Sequence, residues 1–233
     1  ENIIMQKLTN EVLSEVQNYL LPEPEFNLFA IGDLERFGME DSNISCYTAD
    51  NWSPGIKFRY FILDYRGNFI VYSDCTDYDA AEVGKFLEKN NPRNISGKDE
   101  IIRKLLPYLK NKKANLTYLA RLNEVTEAQK QQAGKLMGQV KRLTPTDIPA
   151  IYSFYLLIDE FSYSYCNRSK EECYEDIRMN VTELGRSYGI FEQDKLVSIA
   201  QTSAENHTSA MVVGVATHPD FRKKGYAKAT VLK

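Results

Sequence analysis

Histidine is scarce in this chain. His207 and His218 are the only two, and the four cysteines, Cys46, Cys75, Cys166 and Cys173, form no C-x-x-C pair. Structural zinc needs four Cys or His ligands at short spacings, so no metal centre is expected. Unpaired, widely spaced cysteines read as the reduced thiols of an intracellular protein. No apolar run approaches the ~20 residues that a membrane helix needs. The opening residues Glu1-Asn2-Ile3-Ile4-Met5 lack the form of a signal peptide. The expectation is therefore a cytoplasmic protein without a membrane partner. A long basic stripe is also lacking. A net charge of −3 and a pI near 5.6 argue against a nucleic-acid-binding protein.

What is present is an ordinary globular composition, with 43% hydrophobic and 12% aromatic residues, enough to build a core. A length of 233 residues suits one large domain or two modest ones. The 15 tyrosines imply many partly exposed rings or pocket walls.

The stretch Met211 to Lys233, MVVGVATHPDFRKKGYAKATVLK, organises the rest. Val212, Val213, Val215 and Ala216 predict a strand buried on both faces. Pro219, within His218-Pro219-Asp220, ends that strand because it cannot donate to a ladder. The run Arg222-Lys223-Lys224-Gly225-Tyr226-Ala227 then opens a helix, whose first N–H groups and partial positive charge favour an anion. Gly225 lets a ligand approach the backbone where a Cβ would block it. Together these residues predict a phosphate-binding turn.

The same residues resemble motif A of the GNAT superfamily of acyl-CoA-dependent N-acyltransferases. That pattern is a strand followed by Arg/Gln-x-x-Gly-x-Gly/Ala, matched by Arg222, Gly225 and Ala227. The wider run VVGVATHPDFRKKGYA is similar to the C-terminal domain of glycine N-acyltransferase-like proteins and to bacterial two-part GNAT proteins. The resemblance covers about residues 139–233, with a weaker echo before it. It implies an α/β fold with a mixed sheet and an N-acetyltransferase activity. Acetyl-CoA would be the co-substrate, the acceptor a small-molecule or peptide amine, and a homodimer an admissible assembly. Backbone groups of Val215, Ala216 and Thr217 would hold the pantetheine arm and the thioester oxygen. The loop from Arg222 to Ala227, with Tyr226 in it, would hold the diphosphate, and Arg222, Lys223 or Lys224 would meet a phosphate.

Candidates for proton transfer and acceptor binding come from the residues themselves. Glu205 precedes the motif strand and is a candidate base. Asp159 and Glu160 end the first helix of the second half, where acceptor pockets of the family form. Phe161, Tyr163 and Tyr165 alternate after them, and either line an acceptor pocket or pack over the sheet. The motif strand carries no carboxylate, which leaves ordered water open as the base.

In chain order, a helix capped by Thr9 or Asn10 is expected to carry Val12, Leu13, Val16, Tyr19 and Leu20. A second is expected from about Glu25 to Phe37, with Phe26, Phe29, Ala30, Leu34 and Phe37 on its apolar side and Gly38 as C-cap. Strands follow over residues 44–49, 56–64 and 68–73, then a helix over 79–89, a short strand over 94–96, a helix over 98–109 and a strand over 115–122. This order resembles a GNAT domain too, but its strand-to-helix junction reads Ser73-Asp74-Cys75-Thr76-Asp77-Tyr78-Asp79. Acids there oppose a diphosphate, so residues 1–122 are expected to form a degenerate GNAT-like domain without CoA. Residues 123–138 are polar, without a convincing core stripe, and read as an inter-domain linker that admits a helical portion. Residues 139–233 read as the N-acetyltransferase domain, cut short before the strand and helix that continue the family fold. They comprise a strand at 139–143, a helix started by Thr144-Pro145-Thr146-Asp147, a loop over 161–168, a helix capped by Ser169 with Glu172, and strands over 186–191 and 196–204.

Overall fold

A computed structural model describes residues 4–233. Residues 1–3, part of the stretch read as lacking signal-peptide form, lie outside the described residues. The chain divides into two compact units, Glu1–Arg121 and Leu122–Lys233.

The first unit is a mixed five-stranded sheet, in the order β1 (Met5–Lys7), β2 (Ile44–Ala49), β3 (Phe61–Tyr65), β4 (Asn68–Tyr72), β5 (Asn94–Ser96). The first four pair antiparallel, and β4 pairs with β5 in parallel. Helices α1 (Leu13–Leu20) and α2 (Leu28–Phe37) connect β1 to β2, α3 (Ala80–Asn90) makes the crossover from β4 to β5, and α4 (Asp99–Leu105) follows. The period-2 alternation of β3 divides the core. Phe61 and Leu63 pack with Val16, Leu20, Ile31 and Leu34 of α1 and α2. Ile62 faces the opposite layer with Val83, Leu87 and Ile101. The β3–β4 hairpin turns through Arg66 at φ 51° and Gly67 at φ 85°, the two left-handed positions of a type I′ turn.

Several expectations shift here. Helix α2 starts at Leu28, because Asn27 is buried and its Nδ2 donates to the Leu20 carbonyl at 2.9 Å. Phe26 and Phe29 point outward, and Leu28 and Ile31 take the inner face with Ala30 and Leu34. Strand β3 begins at Phe61 instead of residue 56, since Pro54-Gly55 turns the chain and leaves Ile56 exposed. Residues 115–122 form no strand. Leu116, Tyr118, Leu119 and Leu122 are exposed, and apolar content without a ladder partner does not make a strand.

The second unit holds a four-stranded antiparallel sheet, ordered β6 (Lys141–Arg142), β7 (Ser187–Glu192), β8 (Lys195–Ser203), β9 (Met211–Thr217). Helices α6 (Ile148–Leu156), α7 (Asp159–Tyr165) and α8 (Lys170–Thr182) lie between β6 and β7 in sequence. Capping boxes start the first turn at Thr144 with Asp147 and α8 at Ser169 with Glu172. Ile151, Phe154, Ile177, Leu196 and Ile199 fill one face of the sheet. Val140, Ile190, Val197 and Ala229 fill the other.

Residues 123–138, read as a linker, carry helix α5 (Glu127–Met137), which buries Ala133 among Val140, Ile190 and Tyr226. Its apolar stripe is short enough to escape a periodicity count. The loop expected at 161–168 is helical through Tyr165. Strand β9 is the last in its sheet and not a buried central strand, and Val212 and Val215 are exposed on it. Both units nonetheless share one order: a strand, helices, a three-stranded antiparallel meander, and a helix after the last meander strand. Among the described residues, no helix is long and apolar enough to cross a membrane.

Candidate active site

The site is built where β9 hands over to α9 (Tyr226–Val231). Strand β9 pairs with β8 alone, so its other edge carries no ladder within the described sheet. Gln201 pairs with Val213 and Ile199 with Ala216, which makes Gly214 and Val215 a bulge. Gly214 has φ +59°, and a Cβ on it would lie 2.7 Å from Gln201 Oε1, so both conformation and space require glycine. The bulge takes backbone groups near Val215 out of the β8 ladder and leaves them beside open space.

The turn that follows is held by its own atoms. His218 Nδ1 accepts from the Asp220 N–H at 3.2 Å, which gives this histidine a turn-capping role. Arg222 Nε donates to the Thr217 carbonyl at 3.1 Å. Lys224 Nζ donates to the Asp220 carbonyl at 3.0 Å and lies 4.9 Å from the Phe221 ring centre. Gly225, at φ +86°, is the N-cap of α9. The Tyr226 hydroxyl donates to Glu192 Oε1 at 2.6 Å, and that hydrogen bond to a carboxylate raises its pKa.

A cleft of about 510 Å³ opens along this junction. Val215, Ala216 and Thr217 of β9, and Arg222, Lys223, Gly225, Tyr226 and Ala227 of the loop and α9, all line it. Lys224 does not, because it is turned back onto Asp220. Ile158, Glu160 and Phe161 form the wall contributed by the start of α7. The cleft is thus apolar along Ile158, Phe161 and Val215, cationic at Arg222, Lys223 and Lys228, and acidic at Glu160.

The remaining candidates stand elsewhere. Glu205 does not line the cleft. Its carboxylate is paired with Arg186 Nε at 3.0 Å and accepts from the Thr202 hydroxyl, which ties it into the connection between β8 and β9. Asp159 begins α7 but does not line the cleft, and Tyr163 is 80% exposed. Of the three alternating aromatics, Phe161 both lines the cleft and packs on Tyr155, Tyr165 packs on Tyr155, and Tyr163 does neither.

Sequence reasoning missed Ile158, Phe221 and Lys228 as wall residues. Phe221 lay inside the motif stretch, and Lys228 follows Lys224 by one helical turn, a spacing that could have drawn attention to it. No sequence signal brings Ile158 to β9. Among the described residues, no group of three or more His, Cys, Asp or Glu could hold a metal ion.

The corresponding junction of the first unit is filled. Asp74 pairs with Lys57 at 2.7 Å and Asp77 with Arg59 at 3.4 Å. Asp79 caps α3 by accepting from the Glu82 N–H at 2.9 Å. Beside the end of β4, Lys98 Nζ donates to Glu23 Oε2 at 2.8 Å, the Tyr72 hydroxyl donates to the same oxygen at 2.8 Å, and Lys98 Nζ lies 5.4 Å from the Tyr72 ring centre.

No protein-family model matches the chain, and no curated protein sequence matches it. Solved structures do. A Drosophila protein from a structural genomics programme aligns with a TM-score of 0.55 over 98% of this chain and 84% of its own, at 13% identity. A GNAT-family acetyltransferase from Colwellia psychrerythraea aligns with a TM-score of 0.42 over 97% of this chain and 82% of its own, at 12% identity. The ribosomal-protein-S18-alanine N-acetyltransferase of Escherichia coli aligns with a TM-score of 0.32 over 40% of this chain, at 19% identity. The matched region spans 54% of that enzyme's length. Acetyltransferases of the GNAT superfamily are thus among the solved structures that this chain resembles.

Proposed function

We propose that the second unit is a GNAT-like N-acetyltransferase domain that moves an acetyl group from acetyl-CoA to a primary amine, and that the first unit is a degenerate GNAT-like partner without a CoA site. The observation that carries this reading is the cleft at the β9–α9 junction. It joins an uncovered, bulged strand edge to a glycine-containing basic loop. In this reading the loop from Arg222 to Ala227 cradles the diphosphate, and Lys223 supplies a cation that its own loop does not engage. The backbone at Val215, Ala216 and Thr217 holds the pantetheine arm and the thioester oxygen.

The reaction is direct attack in a ternary complex. The lone pair of a neutral amine forms a C–N bond at the thioester carbon, the nitrogen gives up one proton, and the C–S bond breaks to release the CoA thiolate, which takes up a proton. The chain's contribution is to align the two substrates and to offer backbone donors to the developing oxyanion. Glu160, at the cleft wall, is placed on the acceptor side, where its carboxylate would attract a cationic amine or accept its proton. Asp159 and Tyr163 do not line the cleft and have no part in acceptor binding in this reading. The setting is cytoplasmic, where four unpaired thiols stay reduced.

A second reading, a non-catalytic acyl-CoA-binding module, is favoured by one observation. Of Glu205, Asp159 and Glu160, only Glu160 lines the cleft. Calorimetric titration with acetyl-CoA tests the shared part of both readings, and absence of binding at millimolar ligand removes both. Release of free thiol in the presence of a panel of amines separates them, because the binding module produces none.

A further inference from the structure

The two walls of the cleft are joined beneath its floor by one buried polar line. On the sheet side, Gly214 omits the side chain that would collide with Gln201 Oε1. The Gln201 amide fills that space, buried on β8, and its Nε2 donates to Ser187 Oγ at 2.8 Å. Its Oε1 accepts from the Tyr155 hydroxyl at 2.9 Å. On the helix side, the Tyr155 ring packs against Phe161 with ring centres 5.0 Å apart, and Phe161 and Val215 both line the cleft. Tyr155 is 2% exposed, and neither it nor Gln201 lines the cleft.

A tyrosine hydroxyl and a carboxamide among Ile151, Phe154 and Ile199 cost desolvation, and an apolar pair could fill the same volume without that cost. What the polar pair adds is direction. A hydrogen bond fixes the rotation of Tyr155 relative to Gln201, and both rings of the aromatic contact move with it, whereas apolar contact alone tolerates sliding. We propose that Tyr155 and Gln201 are positioning residues that set the spacing between the β9 bulge and Phe161, and thereby the cleft's discrimination between acyl-CoA and free CoA. This rests on the acyl-CoA reading of the cleft. There the thioester oxygen meets the backbone at the bulge, and the diphosphate sits at the Gly225 loop, which the polar line does not touch.

The test uses the full chain with Tyr155→Phe and Gln201→Leu. Acetyl-CoA and CoA are titrated separately, and amide hydrogen exchange is followed by mass spectrometry. Tyr155→Phe is expected to weaken acetyl-CoA about fivefold, the worth of one net hydrogen bond, and CoA less than about twofold, since the loop contacts persist. Exchange should quicken at residues 158–161 and 213–216 together, with the first unit, residues 4–121, unchanged. Gln201→Leu should repeat this pattern, and the double variant should be no worse than the poorer single one, as for residues acting as a unit. Tyr155→Phe decides alone if Gln201→Leu does not fold. Equal weakening of both ligands, or quickened exchange on one wall only or throughout the second unit, overturns the proposal. If the unaltered chain binds neither ligand, the acyl-CoA reading falls separately. The exchange pattern then decides the spacing role by itself, upheld by both walls loosening and overturned by one.

Discussion

After β4 the chain reads Ser73-Asp74-Cys75-Thr76-Asp77-Tyr78 before Asp79 caps α3. After β9 it reads His218-Pro219-Asp220-Phe221-Arg222-Lys223-Lys224 before Gly225 caps α9. Both junctions end the third strand of an antiparallel meander and begin a helix. In the first, the Asp79 carboxylate caps the helix start by accepting from the Glu82 N–H, which places a negative charge where a ligand anion would sit. The strand edge is covered as well, since β5 pairs along it and a Cβ on Gly97 would lie 2.5 Å from the Val71 carbonyl. In the second, the cap is a left-handed glycine without a side chain, and the strand is bulged and, among the described residues, pairs with β8 alone. On the proposed reading, the difference teaches that an anion cradle needs a bare cap, an open edge and an unengaged cation together. One of these without the others is only a turn.

The strongest way to break the comparison is to put a side chain on the bare cap. Gly225→Val forces a β-branched residue to φ +86°, a conformation L-residues resist. It should weaken acetyl-CoA at least about 100-fold by calorimetry, because the cradle itself is lost. Retained affinity in a folded variant would show that the loop backbone is not the ligand's seat.

Next in size is the plug of the first unit. Lys98→Ala leaves Glu23 without its cation and should cost about 2 kcal/mol of stability. That is less than the roughly 3–5 kcal/mol of a fully buried pair, because Glu23 remains partly exposed. Chemical denaturation measures it, and acetyl-CoA affinity should not change. The same cluster predicts a pH dependence. Burial pushes Glu23 up, but hydrogen bonds from Lys98 and Tyr72 outweigh it and hold its pKa below the ordinary value. A depressed carboxylate stabilises the fold above its unfolded pKa, and the contribution fades as pH falls through the folded value. Acidification below about pH 4.5 should therefore destabilise the unaltered chain more than Lys98→Ala.

Within the basic loop the comparison sharpens further. Lys223 lines the cleft, while Lys224 is engaged with Asp220 and Phe221. Lys223→Ala should weaken acetyl-CoA about tenfold, as for a lost charge-assisted contact, and Lys224→Ala by less than about twofold. Equal losses would mean that the loop acts as a diffuse positive field. The smallest expected effect is none. Asp74→Lys with Asp77→Lys should not confer acetyl-CoA binding on the first unit, since charge reversal opens neither the Asp79 cap nor the covered edge.

Much of the framework was legible because its signals are local. The hairpin at Arg66-Gly67, the Ser169 and Thr144 capping boxes and the Gly225 turn each depend on residues within one turn of the chain. The face of α2 was misjudged between Phe29 and Ile31, because both fit a helical stripe and only packing against β3 chooses. The packing face of the helix over 127–137 escaped because a stripe of Ala133, Leu136 and Met137 is too sparse to stand out among glutamines. Glu205 looked available because nothing local betrays Arg186, 19 positions away.

The sequence by itself determined the chemistry of the β9–α9 turn: its cations, its bare glycine cap and the contrast with three acids in the first half. Tertiary structure alone decided which of those residues face a cleft. Which strands β9 pairs with, and whether Phe161 shares a cleft with Val215, depend on groups far apart in the chain. Strand pairing and side-chain packing bring such groups together, and neither leaves a periodic or positional mark in the sequence.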